Sequence, residues 1–322
     1  MGKNRSRNNT NLTTDIAYDN NGNYLITGFF SGNYNLGASS ISSSTQSYDI
    51  LIGKLDKNGN TVWLKKAGSI AEDAAQAICA DKDGNAFITG YFTRTAYFDS
   101  NSIDYLDYND IFIAKYAPDG SNLWARAGKG SQLDGGFGIT TDDEGNVYGT
   151  GMFMFTLDFD GWQRTSNNGR DIYIVSYSPS GNVRWLTSAG GVNTDAGLDL
   201  AIKTNGNIAL CGYYLNTCKF GDIEIDYAEY NDLFIAEFDP PFVTDISGID
   251  EIDVKVFPNP VKDILQVEIE GDFSVRIYNI LRQEVYAESN VKAIDVSTLN
   301  KGLYNAVIET QGKTKTIKIA IQ

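Results

Sequence analysis

Gly84-Asn85-Ala86-Phe87-Ile88-Thr89-Gly90 decides the fold, because the chain writes this phrase four times. It stands as Gly22-Asn23-Tyr24-Leu25-Ile26-Thr27-Gly28, as Gly145-Asn146-Val147-Tyr148-Gly149-Thr150-Gly151 and as Gly206-Asn207-Ile208-Ala209-Leu210-Cys211-Gly212. The Gly-Asn pairs are 62, 61 and 61 residues apart. Asp49, Asp110, Asp171 and Asp232 open a second phrase at steps of 61, and Trp63, Trp124 and Trp185 keep the same step. One period held this tightly means one supersecondary unit copied in series, each copy burying its face on its neighbours. Such proteins usually present surfaces rather than catalytic centres.

Within the third copy, Gly136–Thr141, Val147–Phe153, Ile172–Tyr177 and Val183–Leu186 read as four short strands. They are β-branched and aromatic runs bounded by Gly, Asn, Asp and Pro. Four antiparallel strands per unit, without a helical period, predict propeller blades. The fourth copy reaches Phe238 and meets Pro240-Pro241 with no Trp-bearing strand after it. The expectation is an all-β chain: a β-propeller of about four four-stranded blades, its last outer strand missing, either open or a fragment. Phe242-Val243-Thr244 is a candidate for the missing strand. Past Asp239 the register stops, and alternating runs such as Ile264–Ile269 and Thr314–Ile321 predict a small Ig-like β-sandwich. The expected layout is a disordered segment over 1–12, repeats over 13–240, a linker over 241–252 and the last domain over 253–322.

Composition narrows the function. A net charge of −15 opposes binding to phosphate backbones, so no nucleic-acid partner is expected. No apolar run approaches 18 residues, so no transmembrane segment is expected. Histidine is absent, which removes Ser-His-Asp and Cys-His catalysis and the usual zinc sites. No cofactor is expected. The basic start Met1-Gly2-Lys3-Asn4-Arg5 has no apolar segment behind it, so it is not an export signal, and a gene fragment is the expectation. Cys79, Cys211 and Cys218 cannot all pair; Cys211 and Cys218, read as flanking a turn, leave a hairpin disulfide open beside free thiols.

Candidate contact residues lie in the excursions between the second and third strands of a unit. Asp104–Asn109 carries Tyr105 and Tyr108, and Asp226–Asn231 carries Tyr227 and Tyr230. Tyr rings beside carboxylates suit sugar or protein recognition; an acidic strand pair is the plainer reading. Trp162 has no counterpart in other units and is a candidate exposed contact. Asp81, Asp83, Asp142 and Glu144 sit in Gly-containing turns that weakly suggest calcium, although turn chemistry alone explains them. The repeated aspartates and tryptophans are expected to hold blades together.

Two resemblances extend this reading. Gly84–Phe92, Asn109–Tyr116 and Asp119–Gly128 resemble the bacterial SBBP β-propeller repeat, which implies a propeller over about 13–240 and no known reaction. Pro258-Asn259-Pro260, the run Ile277–Val285 and Gly302-Leu303-Tyr304 resemble the type IX secretion sorting domain of Bacteroidota. Arg282 departs from that family's usual Gly. This second resemblance implies the type IX secretion machinery as partner and an extracellular or outer-surface location. Together the readings predict a non-enzymatic secreted or surface propeller that binds glycan or protein. The alternatives are a carboxylate-based glycan hydrolase or lyase in the propeller funnel, and a ligand-free spacer.

Overall fold

The computed structural model describes residues 10–45, 47–240, 254–279, 284–310 and 313–322, apart from the side chains of 226–229, 313–316 and 318. Every regular element among the described residues is a strand. The chain divides into two compact units, 1–240 and 241–322.

The first unit is built from blades. Blade 1 contains β1 (Asn11–Tyr18), β2 (Tyr24–Phe30), the small hairpin β3 (Asn33–Leu36) and β4 (Ser39–Ser42), then β5 (Asp49–Leu55) and β6 (Thr61–Ala67). Blade 2 repeats this with β7 (Ala74–Ala80), β8 (Ala86–Phe92), the hairpin β9 (Ala96–Phe98) and β10 (Asn101–Ile103), β11 (Asp110–Tyr116) and β12 (Asn122–Gly130). Blade 3 has β13 (Gly135–Thr141), β14 (Val147–Phe159), β15 (Trp162–Tyr177) and β16 (Val183–Ala189). Blade 4 has β17 (Ala196–Ile202), β18 (Ile208–Phe220) and β19 (Ile223–Phe238). Each blade is an antiparallel meander, β1-β2-β5-β6 in the first, and blade 4 stops at three strands. The expected blades and the missing outer strand are both present; Phe242–Thr244 lies outside the described residues.

The repeated phrase explains the meander. Gly22, Gly84, Gly145 and Gly206 all have left-handed φ between 79° and 86°, which lets the first-to-second strand turn close. The second glycine of the phrase answers a different need. A Cβ on Gly28, Gly90, Gly151 or Gly212 would run into the backbone carbonyl of Leu12, Ala74, Gly135 or Ala196, beside the bulge in each first strand. In blades 3 and 4 the excursion is no separate hairpin. The second and third strands lengthen into one long ribbon, 13 and 16 residues in each case.

Cores lie between blades. Ile50, Ile52 and Trp63 of blade 1 pack with Ile88, Phe92, Phe112 and Tyr116 of blade 2. Ile111, Ile113 and Trp124 of blade 2 pack with Phe153, Phe159, Tyr173 and Tyr177 of blade 3. Alternation along each third strand therefore sends one set of side chains to the preceding blade and the other to the following blade.

The second unit contains β20 (Val254–Phe257), β21 (Ile264–Ile269), β22 (Ser274–Tyr278), β23 (Glu284–Ser289), β24 (Ala293–Asp295), β25 (Gly302–Thr310) and β26 (Lys313–Ile321). A three-stranded sheet β20-β21-β24 and a four-stranded sheet β23-β22-β25-β26 bury Leu265, Val267 and Ile294 against Ile277, Ala306, Ile308 and Ile319. This is the expected sandwich.

Two local readings are corrected. Cys211 and Cys218 share strand β18, with no turn between them. Seven residues of strand span roughly 23 Å, far beyond the ~7 Å limit for bridged Cα atoms. Both thiols are free. Asp104–Asn109 is a loop between β10 and β11, whereas Asp226–Asn231 lies inside β19, so the two do not form matching strands. The Asp110 carboxylate accepts the Leu106 N–H and Tyr108 adopts φ 43°, which curls the first segment out of the sheet.

Candidate functional site

Each joint between blades uses the same three devices. At the rim, the residue after an outer strand bridges to the next blade's excursion: Gly68 to Tyr97, Lys129 to Asp158 and Gly190 to Lys219. Below it, an aspartate of the next blade donates its own N–H to Tyr48, Asn109 or Arg170 of the blade before: Asp73 at 2.9 Å, Asp134 at 3.0 Å and Asp195 at 2.7 Å. These carboxylates accept the N–H of Thr93, Met154 and Leu215, twenty positions on, at 3.1, 2.8 and 3.2 Å. Third, Trp63 Nε1 donates to the Pro118 carbonyl at 3.0 Å and Trp124 Nε1 to the Pro179 carbonyl at 3.2 Å. The repeated aspartates and tryptophans are thus occupied in holding blades together.

Burial leaves its mark on these acids. Desolvation pushes Asp73 and Asp110 up to about 6, Asp171 to about 7 and Asp134 to about 8, against the lowering effect of the N–H groups they accept. Asp110 and Asp134 raise one another, as Asp171 is raised by Asp195. Because this arrangement recurs at joint after joint, it belongs to the scaffold rather than to one reactive centre.

The calcium candidates are spent on their own turns. Asp81 Oδ1 accepts the N–H of Asp83 and Asn85, and its Oδ2 takes Asn85 Nδ2 at 2.7 Å and faces Lys115 Nζ at 3.7 Å. Asp142 does the same with Glu144 and Asn146, its Oδ2 also accepting the Tyr148 hydroxyl at 2.8 Å. Such Asx turns use the oxygens that a cation would need. Among the described residues there is no cluster of three or more metal-ligating side chains.

One place breaks the symmetry. At the joint of blades 1 and 2 a cleft of about 440 Å³ opens, within the ~300–1,000 Å³ range of ligand sites. Its wall is the end of β6, Lys65 to Gly68, continuing through Ser69 and Ile70. Ile41 and Ser44 close one side, Tyr97 and Asp99 the other. Lys66 Nζ lies 3.0 Å from Ser44 Oγ and 3.5 Å from buried Asp49, so it neutralises a scaffold carboxylate. Lys65 Nζ lies 3.5 Å from Asp99, itself half exposed, and is the freer cation. Tyr97 and Ile70 are exposed. The equivalents of Lys65 and Lys66 in blade 2 are Arg126 and Ala127, and Arg126 is drawn over Trp124 and onto the Gly181 carbonyl at 2.8 Å. Two ammonium groups, a phenol ring and an apolar floor suit an anionic, partly apolar ligand. The cleft holds a single carboxylate, Asp99. Sequence reasoning missed it, since it gathers residues from 41 to 99; the only linear signal is the Lys65-Lys66 pair in an acidic chain.

The structure scatters the predicted contact residues. Tyr105 is half-buried, its hydroxyl accepting from Arg94 Nη1 at 2.7 Å with the guanidinium 5.3 Å above the ring. Tyr108 and Leu106 are exposed beside it. Trp162, expected as an exposed contact, is half-buried and packs against the core of blades 2 and 3, because the long ribbon folds its tip back onto Phe159. Tyr230 is exposed on β19, on another blade, and the Tyr227 side chain lies outside the described residues.

In the second unit the motif residues are structural. Asn259, in the Pro258-Asn259-Pro260 segment, accepts the Ala320 N–H at 2.9 Å, which ties that segment to β26. Gly302 opens β25, and Tyr304 is buried with its hydroxyl donating to the Asn300 carbonyl at 2.7 Å. Arg282 lies outside the described residues.

The fold defines an all-β protein of propeller blades followed by a sandwich. Residues 255–322, most of that sandwich, match the family model described as secretion system C-terminal sorting domain. The chain therefore carries a secretion tail, which places it among proteins exported to the outside or the cell surface and implies contact with the type IX machinery. A curated relative, the uncharacterized WD repeat-containing protein L264 of Acanthamoeba polyphaga mimivirus, is 26% identical over 250 residues. That match covers 64% of this chain and 18% of the relative. Among solved structures, the extracellular domain described as that of the hybrid two component system BT3049 of B. thetaiotaomicron aligns at TM-score 0.27 and 11% identity, over all of this chain and 39% of that one. The corresponding domain of BT4673, described as a one component system, aligns at TM-score 0.26 and 12% identity, over 97% of this chain and 43% of that one. Overlap at these TM-scores places no constraint on fold or function. No helix is long and apolar enough to cross a membrane.

Proposed function

We propose that this is a non-enzymatic propeller of the SBBP type from a member of the Bacteroidota, exported by the type IX route, that binds acidic oligosaccharide in the cleft between its first two blades. The observation that carries the reading is the asymmetry of that cleft. Lys65, Lys66, Tyr97 and Ile70 converge at one joint out of three, whereas every other repeated polar group serves the scaffold. Uronate or sulfate groups would meet the two ammonium groups while a sugar face stacks on Tyr97. A hydrolase needs two carboxyl groups about 5–10 Å apart; the cleft offers Asp99 alone, and this supports a binding role.

The test is a glycan array of neutral, uronate-bearing and sulfated oligosaccharides probed with the full chain, with and without calcium. Selective capture of the acidic glycans is expected, weakening with salt and unchanged by calcium. Lys65→Ala and Tyr97→Ala should each weaken it about tenfold, roughly 1.4 kcal/mol. Lys66→Ala is the poorer probe, since it strips a cation from buried Asp49. Folded protein that captures no acidic glycan, or captures it equally well without Lys65 and Tyr97, would refute the reading.

A further inference from the structure

We propose that a second copy of this chain covers the open face of the fourth blade with its own first blade, remaking between molecules the joint that the chain already makes three times within itself. Two third-strand positions point at the following blade. They are Ile50 and Ile52 in blade 1, Ile111 and Ile113 in blade 2, and Ile172 and Ile174 in blade 3, all fully or almost fully buried. The same positions in blade 4 are Leu233 and Ile235, and they are 73% and 80% exposed. Blade 4 is not built differently there. Ile235 pairs with Cys211 as Ile174 pairs with Thr150, and Leu233 pairs with Tyr213 as Ile172 pairs with Met152. Only the cover is missing.

The matching half lies on the same chain. Blade 2 presents Ile78 and Ala86 to blade 1, both buried. Their counterparts in blade 1 are Ile16, 60% exposed, and Tyr24, also exposed; Tyr18 beside them is 63% exposed. A polar detail fits as well. Asp15 binds its own neighbour through Oδ1, from Ile16 N–H at 2.7 Å, and reaches across the first joint with Oδ2 to the Ile78 N–H at 2.8 Å. Asp199 holds the same repeat position in blade 4 and makes the first of these bonds, from Leu200 N–H at 2.8 Å. Its second oxygen is left for a first-strand N–H of a covering blade.

A head-to-tail joint of this kind is heterologous. Two copies of four blades, related by a two-fold axis, form it twice and close a ring of eight, inside the usual range of about four to eight blades. The residues after Asp239 leave the repeat and lead into the sorting tail, so they do not supply the cover as a fifth blade.

Sedimentation velocity of the full chain over a dilution series tests this, with Cys211 alkylation as a second readout, since Cys211 is exposed on the same face. A reversible dimer is expected, with Cys211 labelling slowing as concentration rises. Leu233→Asp with Ile235→Asp should weaken association at least about tenfold, and so should Ile16→Asp, while far-UV melts of the dilute proteins stay unchanged because these side chains are exposed. Mixing the two variants should restore one joint and hence a heterodimer. A monomer at every concentration, association indifferent to both variants, or self-association of the Ile16→Asp protein by itself would each overturn the proposal.

Discussion

Gly181 sits on the face of Trp124, and that contact makes a sharp test of how blades 2 and 3 are held. A Cβ built on Gly181 falls 2.8 Å from Trp124 Cδ2 and 3.0 Å from Cγ, and the residue has φ +83°. Gly181→Ala therefore carries two costs. The left-handed backbone costs about 1–2 kcal/mol for an L residue. Crowding a well-packed ring adds about 1–3 kcal/mol. The sum, about 2–5 kcal/mol, lowers the melting temperature of a unit this size by roughly 4–20 °C. Gly59 is the control: it has φ +81° and nothing within 4 Å of its Cβ, so Gly59→Ala should show the backbone cost alone. Trp124→Ala removes a buried ring and its bond to Pro179, about 3–5 kcal/mol. In that background Gly181→Ala should fall back to the Gly59 value, leaving a coupling of about 1–3 kcal/mol. Far-UV melts of the four proteins and the control measure it. Equal effects of Gly181→Ala with and without Trp124 would refute the packing argument.

Three further outcomes are expected. The buried aspartates bind more protons in the folded state than their ordinary value of 3.8 allows unfolded, so their contribution is full below about pH 4 and lost as pH rises through 6 to 8. The melting temperature should fall between about pH 5 and pH 8, and Asp134→Asn should flatten that fall; a mutant with an unchanged slope counts against it. Asp19 has the opposite sign: burial raises it, but bonds from Asn23, Lys54 and Asn21 outweigh that and hold it near 2, so its contribution is lost only as pH drops below 3.8. Ile113→Ala should cost about 2–5 kcal/mol, while Ile235→Ala at the equivalent exposed position stays within about 0.5 kcal/mol in dilute solution; similar melts for both would show that the fourth blade is covered in cis. Cys218, buried and with its thiol pushed up to about 12, should resist alkylation in native protein long after dilute Cys211 has reacted, as mass spectrometry of tryptic peptides would report.

Most of the blade pattern was legible because one period fixed it: the Gly-Asn turn, the bulge glycine and the Trp each do the same task at each step. The truncated fourth blade was legible for the same reason, from the absence of a Trp after Phe238. What escaped depends on the third dimension. The cleft joins Ile41 to Asp99 across a joint, and nothing in the linear order brings them together. Trp162 read as exposed because it has no counterpart, yet its burial follows from the ribbon's return onto Phe159. The cysteine pair misled through a turn that the long strand β18 does not make.

The staple that ties Tyr48 to Asp73, Asn109 to Asp134 and Arg170 to Asp195 spans 25 residues each time. Its parts lie in two neighbouring units, one step of the period apart from the next pair. A single inserted residue between them breaks a staple, while a whole unit added or removed leaves each surviving staple intact. The gene for such a chain can change length only in quanta of about 61 codons, and unequal recombination, rather than point insertion, is the route its architecture leaves open.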